Sequence, residues 1–209
     1  MLFRSLANAI YMKADWVNKF EKEGTYKETF TDINGDESEI DFMHQAADFK
    51  YYENGDTKAV KLPYENGLSM VVVLGDTKNI LNDIHNNKMT SKLVDVSLPK
   101  FKAEYSIDYV NILKNMGIEK AFDNQNADFS LMLENYPERI KIDSVLQKAM
   151  IDVDEKGTEA AAATVAVLTK SALSVDEEVI EFRADKPFTY YILDDNGNVY
   201  FAGRYVKAE

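Results

Sequence analysis

Cysteine is absent from this 209-residue sequence, and histidine occurs only as His44 and His85. The lack of cysteine excludes disulfide bonds, a thiolate nucleophile and cysteine-ligated zinc, although it is compatible with either side of a cell membrane. Neither histidine belongs to a metal-binding spacing such as H-E-x-x-H, so both are interpreted as surface or half-buried residues. We therefore predict neither a metal site nor a cofactor.

Positive charge is also scarce, because 24 basic residues stand against 36 acidic ones and the formal net charge is −12. A protein that binds the nucleic acid backbone needs a basic surface to displace phosphate counterions. Long apolar runs are missing too, since Ser69–Leu74 is far shorter than the roughly 18 residues of a membrane-spanning helix. We expect no nucleic-acid partner and no membrane partner.

Common catalytic motifs are missing as well. The sequence contains neither the G-x-S-x-G turn of many hydrolases nor a G-x-x-x-x-G-K-[ST] phosphate-binding loop. Residues 32–36 resemble the start of a calcium loop, but Glu37 stands where glycine is required and Met43 where a bidentate glutamate belongs. This stretch is interpreted as a surface turn, and the sequence does not predict an enzyme.

Short segments with β character dominate the sequence. Asn-Gly pairs at residues 54–55 and 66–67 favour tight hairpin turns whose central residues have positive φ. Asp108 and Gly117 are of the residue types that begin and end helices. Strands are predicted at residues 2–12, 48–53, 58–62, 68–74, 97–105, 140–153, 188–193 and 199–206, and helices at residues 79–86 and 108–115. The sequence thus predicts an α+β fold with mainly antiparallel strands.

The run EKGTEAAAATVAVLT at residues 155–169 has an unusual composition. Its alanines would suit a helix that begins at Thr158, but the run lacks charge pairs and continues into β-branched residues. In an extended strand, small or apolar side chains from Thr158 to Leu168 would share one face, and no proline interrupts the backbone donors. We therefore interpret the run as a loop that can join a sheet as a new strand, with Gly157 as its pivot.

Insertion of such a loop would be effectively irreversible. About 14 residues at about 3.3 Å each would carry the far end of the loop through roughly 45 Å. About ten new ladder hydrogen bonds, at about 1 kcal/mol each, would stabilise the inserted form by on the order of 10 kcal/mol.

Four motifs, in the same order, resemble the C-terminal half of the serpins, the serine protease inhibitor superfamily. DEKGTEAAAAT at residues 154–164 resembles the hinge of inhibitory members, and FRADKPF at residues 182–188 is similar to the signature that follows the reactive-centre loop. LANAIY at residues 6–11, followed by Trp16, resembles the central strand that leads to a tryptophan at the top of the sheet. FAGR at residues 201–204 resembles the closing strand.

The resemblance implies one serpin-like domain over residues 1–209, of bacterial inhibitory type, with a mobile reactive-centre loop at about residues 155–178. It implies an α+β fold with mainly antiparallel sheets and a few helices, but without the N-terminal half of the family fold. We expect such a half-fold to be inactive as an inhibitor by itself and to dimerise or swap strands through exposed strand edges. The intact protein is expected outside the cell.

The implied activity is irreversible suicide inhibition of a serine protease. The protease cleaves the loop and stays attached as an acyl-enzyme while the loop inserts as a strand into the central sheet, so the inhibitor has no catalytic residue of its own. The implied hinge comprises Glu155, Gly157, Thr158, Glu159, Ala160, Ala161, Ala162, Ala163 and Thr164.

The family spacing, counted from Glu155, places the cleaved bond at Ser171–Ala172, and a shift of one residue places it at Lys170–Ser171. Lysine before the bond would suit a trypsin-like protease. Small neighbouring residues would suit an elastase-like or subtilisin-like protease, so both bonds and both protease classes remain open.

The resemblance also implies that Asn8, Trp16, Lys100 and Gln147 control the opening of the sheet. Glu155 is expected to pair with Lys100 near Trp16, and Asn8 to belong to a polar cluster under the sheet. Gln147 occupies a position where the family usually has histidine, although an amide can still donate and accept hydrogen bonds.

A serpin-fold binding or structural protein that does not inhibit proteases is the alternative function. Such relatives usually carry bulky residues or proline in the hinge, and residues 158–164 contain neither.

Overall fold

The computed structural model describes residues 4–132, 140–158 and 179–208. The strands are β1 (Ser5–Tyr11), β2 (Ala14–Asp15), β3 (Tyr26–Thr31), β4 (Glu37–Asn54), β5 (Thr57–Pro63), β6 (Ser69–Leu74), β7 (Thr90–Pro99), β8 (Phe101–Asp108), β9 (Ser144–Asp154), β10 (Gly157–Thr158), β11 (Ile180–Arg183), β12 (Phe188–Leu193) and β13 (Val199–Tyr205). The helices are α1 (Ile80–His85) and α2 (Val110–Asn115), with short 3-10 helices at Lys22–Gly24, Lys120–Phe122 and Ser130–Met132. The chain divides into two compact units, the first formed by Met1–Met12 and Ala103–Ile151 and the second by Lys13–Lys102 and Asp152–Glu209.

The second unit is built on a sheet of eight strands in the order β11-β7-β4-β5-β6-β12-β13, with β3 paired to β4. Its pairs are antiparallel except that of β11 with β7, which is parallel. In β6, Met70, Val71 and Val72 are fully buried although their side chains alternate between the two faces. The centre of this sheet is therefore covered on both sides, which explains why β6 is uniformly apolar.

The meander predicted over residues 48–75 is confirmed, although its first turn differs from the expected type. Asn54 pairs with Thr57, so the turn between β4 and β5 is centred on Gly55-Asp56, one residue later than predicted. Only Gly55 of these central residues has positive φ, at 57°. A glycine at the first central position is typical of the type II′ hairpin turn rather than type I′.

The first unit contains β1 in parallel pairing with β9, from Ser5 opposite Ser144 to Tyr11 opposite Met150. The strand predicted at residues 2–12 is thus confirmed, and it is largely exposed: Leu6, for example, is 56% exposed. In the described part of the chain β1 has β9 as its only neighbouring strand, so β1 is an edge strand there.

Both predicted helices are confirmed, and both are shorter than predicted. Asp108 Oδ1 accepts hydrogen bonds from the backbone N–H groups of Val110 (3.0 Å) at the start of α2 and Val145 (3.1 Å) in β9. These contacts, together with the Ser144 hydroxyl, hold the pKa of Asp108 below its ordinary value. Gly117, at φ 94°, follows the end of α2 as predicted.

The strand predicted at residues 97–105 is divided between β7 and β8 at Lys100. There the backbone N–H of Lys100 donates to the carbonyl of Asp41 at 2.9 Å. Phe101 then packs into an aromatic cluster, with ring centroids 5.1 to 5.7 Å from those of Phe188, Tyr190 and Tyr205. Lys100 therefore lies between the two strands, directly after the end of β7, while the next residue, Phe101, is buried in the aromatic cluster.

Residues 32–36 form the predicted turn between β3 and β4. Asp32 Oδ1 accepts the backbone N–H groups of Asn34 (2.7 Å) and Asp36 (3.0 Å), which closes the turn. Within the described ranges, no group of three His, Cys, Asp or Glu side chains could hold a metal ion. No helix in those ranges is long and apolar enough to cross a membrane.

Candidate functional site

The candidate site lies in the second unit, where β9 turns into β10. Asp154 Oδ1 accepts hydrogen bonds from the backbone N–H groups of Lys156 (2.9 Å) and Gly157 (3.2 Å). The chain reverses here, so Gly157 pairs with Asp154 and Thr158 with Val153 in antiparallel register. The predicted hinge therefore begins as a short strand beside β9.

Gly157 is required by the close approach of β10 to β2. Its φ is 146°, and a Cβ at this position would lie 2.1 Å from the carbonyl oxygen of Ala14 and 2.6 Å from Asp15 Cα. Both contacts involve backbone atoms that pairing holds in place, because Gly157 is opposite Asp15 in the ladder. No side chain fits here, which is a steric reason for the glycine that the sequence alone did not reveal. Its role as a pivot stays a prediction.

Trp16 is buried against this turn and holds it by two hydrogen bonds. Its indole Nε1 donates to the carbonyl of Asp154 (2.9 Å), and its backbone N–H donates to the carbonyl of Lys156 (2.8 Å). The indole ring stacks on Tyr64 with centroids 4.2 Å apart and meets Phe20 edge-on. A large buried ring with a satisfied N–H thus connects the turn to the core.

Glu155 and Lys100 are in contact, with Oε1 and Nζ 3.0 Å apart. Glu155 is 5% exposed, and its carbonyl accepts the backbone N–H of Phe20 at 2.8 Å. The pair therefore joins the first residue of the predicted hinge to the end of β7. The expected contact is present, while its control of loop insertion stays a prediction.

Burial opposes the negative charge of the Glu155 carboxylate, but its surroundings outweigh this cost. Its own backbone N–H and the Lys100 ammonium stabilise the ionised form, so the pKa of Glu155 lies below its ordinary value. The carboxylate is therefore ionised at neutral pH, as an ion pair requires.

Asn8 and Gln147 lie in the first unit, opposite each other in the pairing of β1 with β9. Asn8 is exposed and Gln147 is half-buried. The two strands that are predicted to separate when the sheet opens are thus adjacent, and their two amide residues are directly opposite each other in the register. Their part in opening the sheet stays a prediction.

The other predicted site residues lie outside the described ranges. They are Glu159, Ala160, Ala161, Ala162, Ala163 and Thr164 in the hinge, and Lys170, Ser171 and Ala172 at the candidate bonds. The choice between the two bonds therefore stays open.

Sequence reasoning missed two residues of the site. The Asp154 side chain closes the turn, and the D-x-x-G spacing to Gly157 is a signal that could have indicated it. Tyr64 stacks on Trp16 and also bridges to it in the sheet, but it comes from a distant turn. No local pattern marks Tyr64, because the contact exists only after the strands have paired.

Three polar side chains from different strands also meet on one face of the eight-stranded sheet. Ser97 Oγ lies 3.0 Å from His44 Nδ1, and His44 Nε2 lies 3.5 Å from Glu28 Oε1. These residue types occur together in hydrolases. Ser97 is only 4% exposed, however, so a substrate carbonyl cannot reach its hydroxyl. The arrangement of Ser97, His44 and Glu28 therefore does not support catalysis.

Comparison with known proteins identifies the family. A family model described as Serpin (serine protease inhibitor) matches residues 4–208. An uncharacterized serpin-like protein of Thermococcus kodakarensis is 37% identical in an alignment of 216 residues, gaps included, that covers 95% of this chain and 48% of the relative. Antitrypsin of Bombyx mori is 31% identical in an alignment of 217 residues that covers 97% of this chain and 54% of the relative. The chain thus spans about half the length of the curated relatives it matches.

A solved structure agrees with the sequence matches. A serpin from the insect Tenebrio molitor, 32% identical in sequence, aligns with a TM-score of 0.78 over 98% of this chain and 56% of its own. The fold is therefore the α+β serpin fold that the motifs predicted. Members of this family are generally protease inhibitors rather than catalysts. The chain belongs to the serpin family.

Proposed function

We propose that the intact protein irreversibly inhibits a serine protease, with residues 155–178 as its reactive-centre loop. The protease cleaves the loop and remains attached as an acyl-enzyme while the loop inserts between β1 and β9. One observation carries this proposal: Gly157 and Thr158, at the start of the predicted loop, are paired antiparallel to the end of β9. Insertion would extend this short pairing along β9.

The strand arrangement supports a one-way reaction. β1 and β9 are parallel, so a strand that runs against β9 also runs against β1. Insertion would replace one parallel pairing with two antiparallel pairings, which are slightly more stable per residue. At about 1 kcal/mol for each net hydrogen bond, about ten added bonds would favour the inserted form by on the order of 10 kcal/mol.

The target is a serine protease of trypsin-like or elastase-like specificity. Lys170 before the cleaved bond favours the trypsin-like class, and the name of the Bombyx mori antitrypsin gives the same class for that relative. Cleavage after Ser171 would favour an elastase-like or subtilisin-like protease. The inhibitor supplies no catalytic residue, because the protease performs the cleavage.

Mixing the protein with trypsin, and separately with an elastase, tests the proposal. A complex that survives boiling in SDS, with release of a peptide that begins at Ser171 or Ala172, is the expected result and identifies the bond. Cleavage without a complex would contradict inhibition and favour the non-inhibitory binding protein. Because relatives are about twice as long, we expect the complex with a longer protein that contains this chain and not with the 209-residue chain alone.

A further inference from the structure

The strand that follows the predicted loop, β11, is attached to β7 beside a row of polar residues. His44 is opposite Ser97 in the pairing of β4 with β7, and Ser97 is opposite Arg183 in the pairing of β7 with β11. Directly opposed residues project from the same face of a sheet. His44, Ser97 and Arg183 therefore form one row across three neighbouring strands.

Glu28, on β3, joins the two ends of this row. Its Oε2 accepts a hydrogen bond from Arg183 Nη2, and its Oε1 lies 3.5 Å from His44 Nε2. The side chains of Glu28 and His44 are only 14% and 16% exposed, so solvent screens their interaction weakly. One half-buried carboxylate is thus shared between a permanent cation on β11 and a titratable ring on β4.

Two further side chains contact His44. Tyr26 stacks on the imidazole with centroids 4.3 Å apart, and the Ser97 hydroxyl lies 3.0 Å from Nδ1. Among the ion pairs found in the described chain, His44 takes part in one, with Glu28 from β3, and the other carboxylate oxygen of Glu28 binds Arg183 from β11. Arg183 is itself within 4 Å of carboxylate oxygens of two neighbours on its own segment, Glu181 (3.7 Å) and Asp185 (3.9 Å).

We propose that Glu28, His44 and Arg183 form a pH-sensitive clamp that holds β11 on the sheet and loosens when His44 is protonated. A protonated His44 competes with Arg183 for Glu28 and repels the guanidinium. Release of β11 removes Arg183 and hence this repulsion, so the released state binds the proton more tightly than the attached state. By linkage, proton binding favours release.

The sign of the pH dependence follows from this competition. Histidine gains its charge between about pH 8 and pH 5. The attachment of β11 is therefore strongest above this range and weakens as the pH falls through it. Since β11 follows the predicted reactive-centre loop, its release on acidification would remove the C-terminal attachment of that loop to the sheet. This consequence rests on the proposed function, whereas the clamp itself does not.

Thiol labelling can measure the release of β11, because the chain has no cysteine of its own. Ala184→Cys places a thiol at a fully buried position directly after β11. Ala202→Cys, at an exposed position on β13, corrects for the intrinsic effect of pH on the reagent. Ala59→Cys, fully buried on β5, reports unfolding of the whole second unit.

We expect the labelling rate of A184C, relative to A202C, to rise at least about fivefold between about pH 7.5 and about pH 5.5. The relative rate of A59C should stay constant. In the A184C background, His44→Gln should abolish the rise, and His85→Gln, at the other histidine, should preserve it. Arg183→Gln should give fast labelling at both pH values, which tests the competition without changing His44.

A rise that persists in H44Q would overturn the clamp, because the titrating group would then lie elsewhere, and slow labelling of R183Q at both pH values would overturn the competition for Glu28. An equal rise in A59C would also overturn the clamp, because the pH effect would then be unfolding of the unit. None of these measurements uses a protease, so a failure of the proposed inhibition leaves their outcome unaffected, and a failed clamp leaves the inhibition test intact.

Discussion

The carboxylate of Glu155 lies 3.0 Å from the ammonium of Lys100, but the two partners differ in their contact with water. The side chain of Glu155 is 7% exposed and that of Lys100 is 37% exposed. Removal of the lysine would therefore leave a buried carboxylate without its counter-ion. Such a change costs more than the net gain that an ion pair provides.

Lys100→Ala is expected to lower the free energy of unfolding of the second unit by about 1–3 kcal/mol at neutral pH. Lys27→Ala is the control, because Lys27 pairs with Asp41 at 3.3 Å but both side chains are at least half exposed. Its effect should be below about 0.5 kcal/mol. Trp16 is the single tryptophan, so urea titration of its fluorescence measures both variants. Equal effects would contradict a special role for the pair.

Glu155→Gln should make stability less sensitive to acid. The pKa of Glu155 is lowered in the folded protein, so its stabilising contribution is present above its ordinary value of 4.5 and is lost as the pH falls below it. The difference in melting temperature between wild type and E155Q should therefore favour wild type at neutral pH and shrink below about pH 4.5. Thermal unfolding across this range checks the prediction, which a constant difference would refute.

Gly157→Ala should destabilise the second unit by at least about 2 kcal/mol, because the added Cβ overlaps backbone atoms of β2 and the backbone has a glycine-like φ. Gly35→Ala provides the comparison: Gly35 also has positive φ, at 88°, but nothing lies within 4 Å of its Cβ position. Its cost should be about 1 kcal/mol, from the backbone alone. Urea unfolding separates the two, and similar costs would show that β10 does not approach β2 so closely.

Ala162→Arg should convert the proposed inhibitor into a substrate. Ala162 shares one face of the predicted inserted strand with Thr158 and Thr164, and an arginine on that face would cost several kcal/mol if it were buried on insertion. Cleavage should continue while the SDS-stable complex is lost. Glu177→Arg, beyond both candidate bonds, should retain the complex. Retention of the complex by A162R would show that this face is not buried.

Local sequence patterns predicted most strands and both helices, because the formation of these elements depends largely on residues that are close in the sequence. Two glycines show the limit of such patterns. The Asn-Gly pair at residues 54–55 correctly indicated a hairpin, but the pairing of Asn54 with Thr57 moved the turn by one residue. Gly157 was correctly singled out, yet its steric reason is the backbone of β2, which lies far away in sequence. A turn type and a close approach both depend on which strands pair.

The resemblance supplied the contact between Glu155 and Lys100, whereas the cluster of Glu28, His44 and Arg183 was not foreseen. These three residues belong to three different strands, and no local motif connects them. Only the registers of β4 with β7 and of β7 with β11 bring His44 and Arg183 into one row.

The sequence by itself determined the α+β class, the hinge motif and the family, because composition, periodicity and short motifs are properties of adjacent residues. The tertiary structure decided which side chains share a partner: Trp16 with the carbonyl of Asp154, Glu155 with Lys100, and Glu28 with both His44 and Arg183. Such contacts arise from strand register and from the exclusion of water around charged groups. Neither can be inferred from the order of residues until the strands have paired.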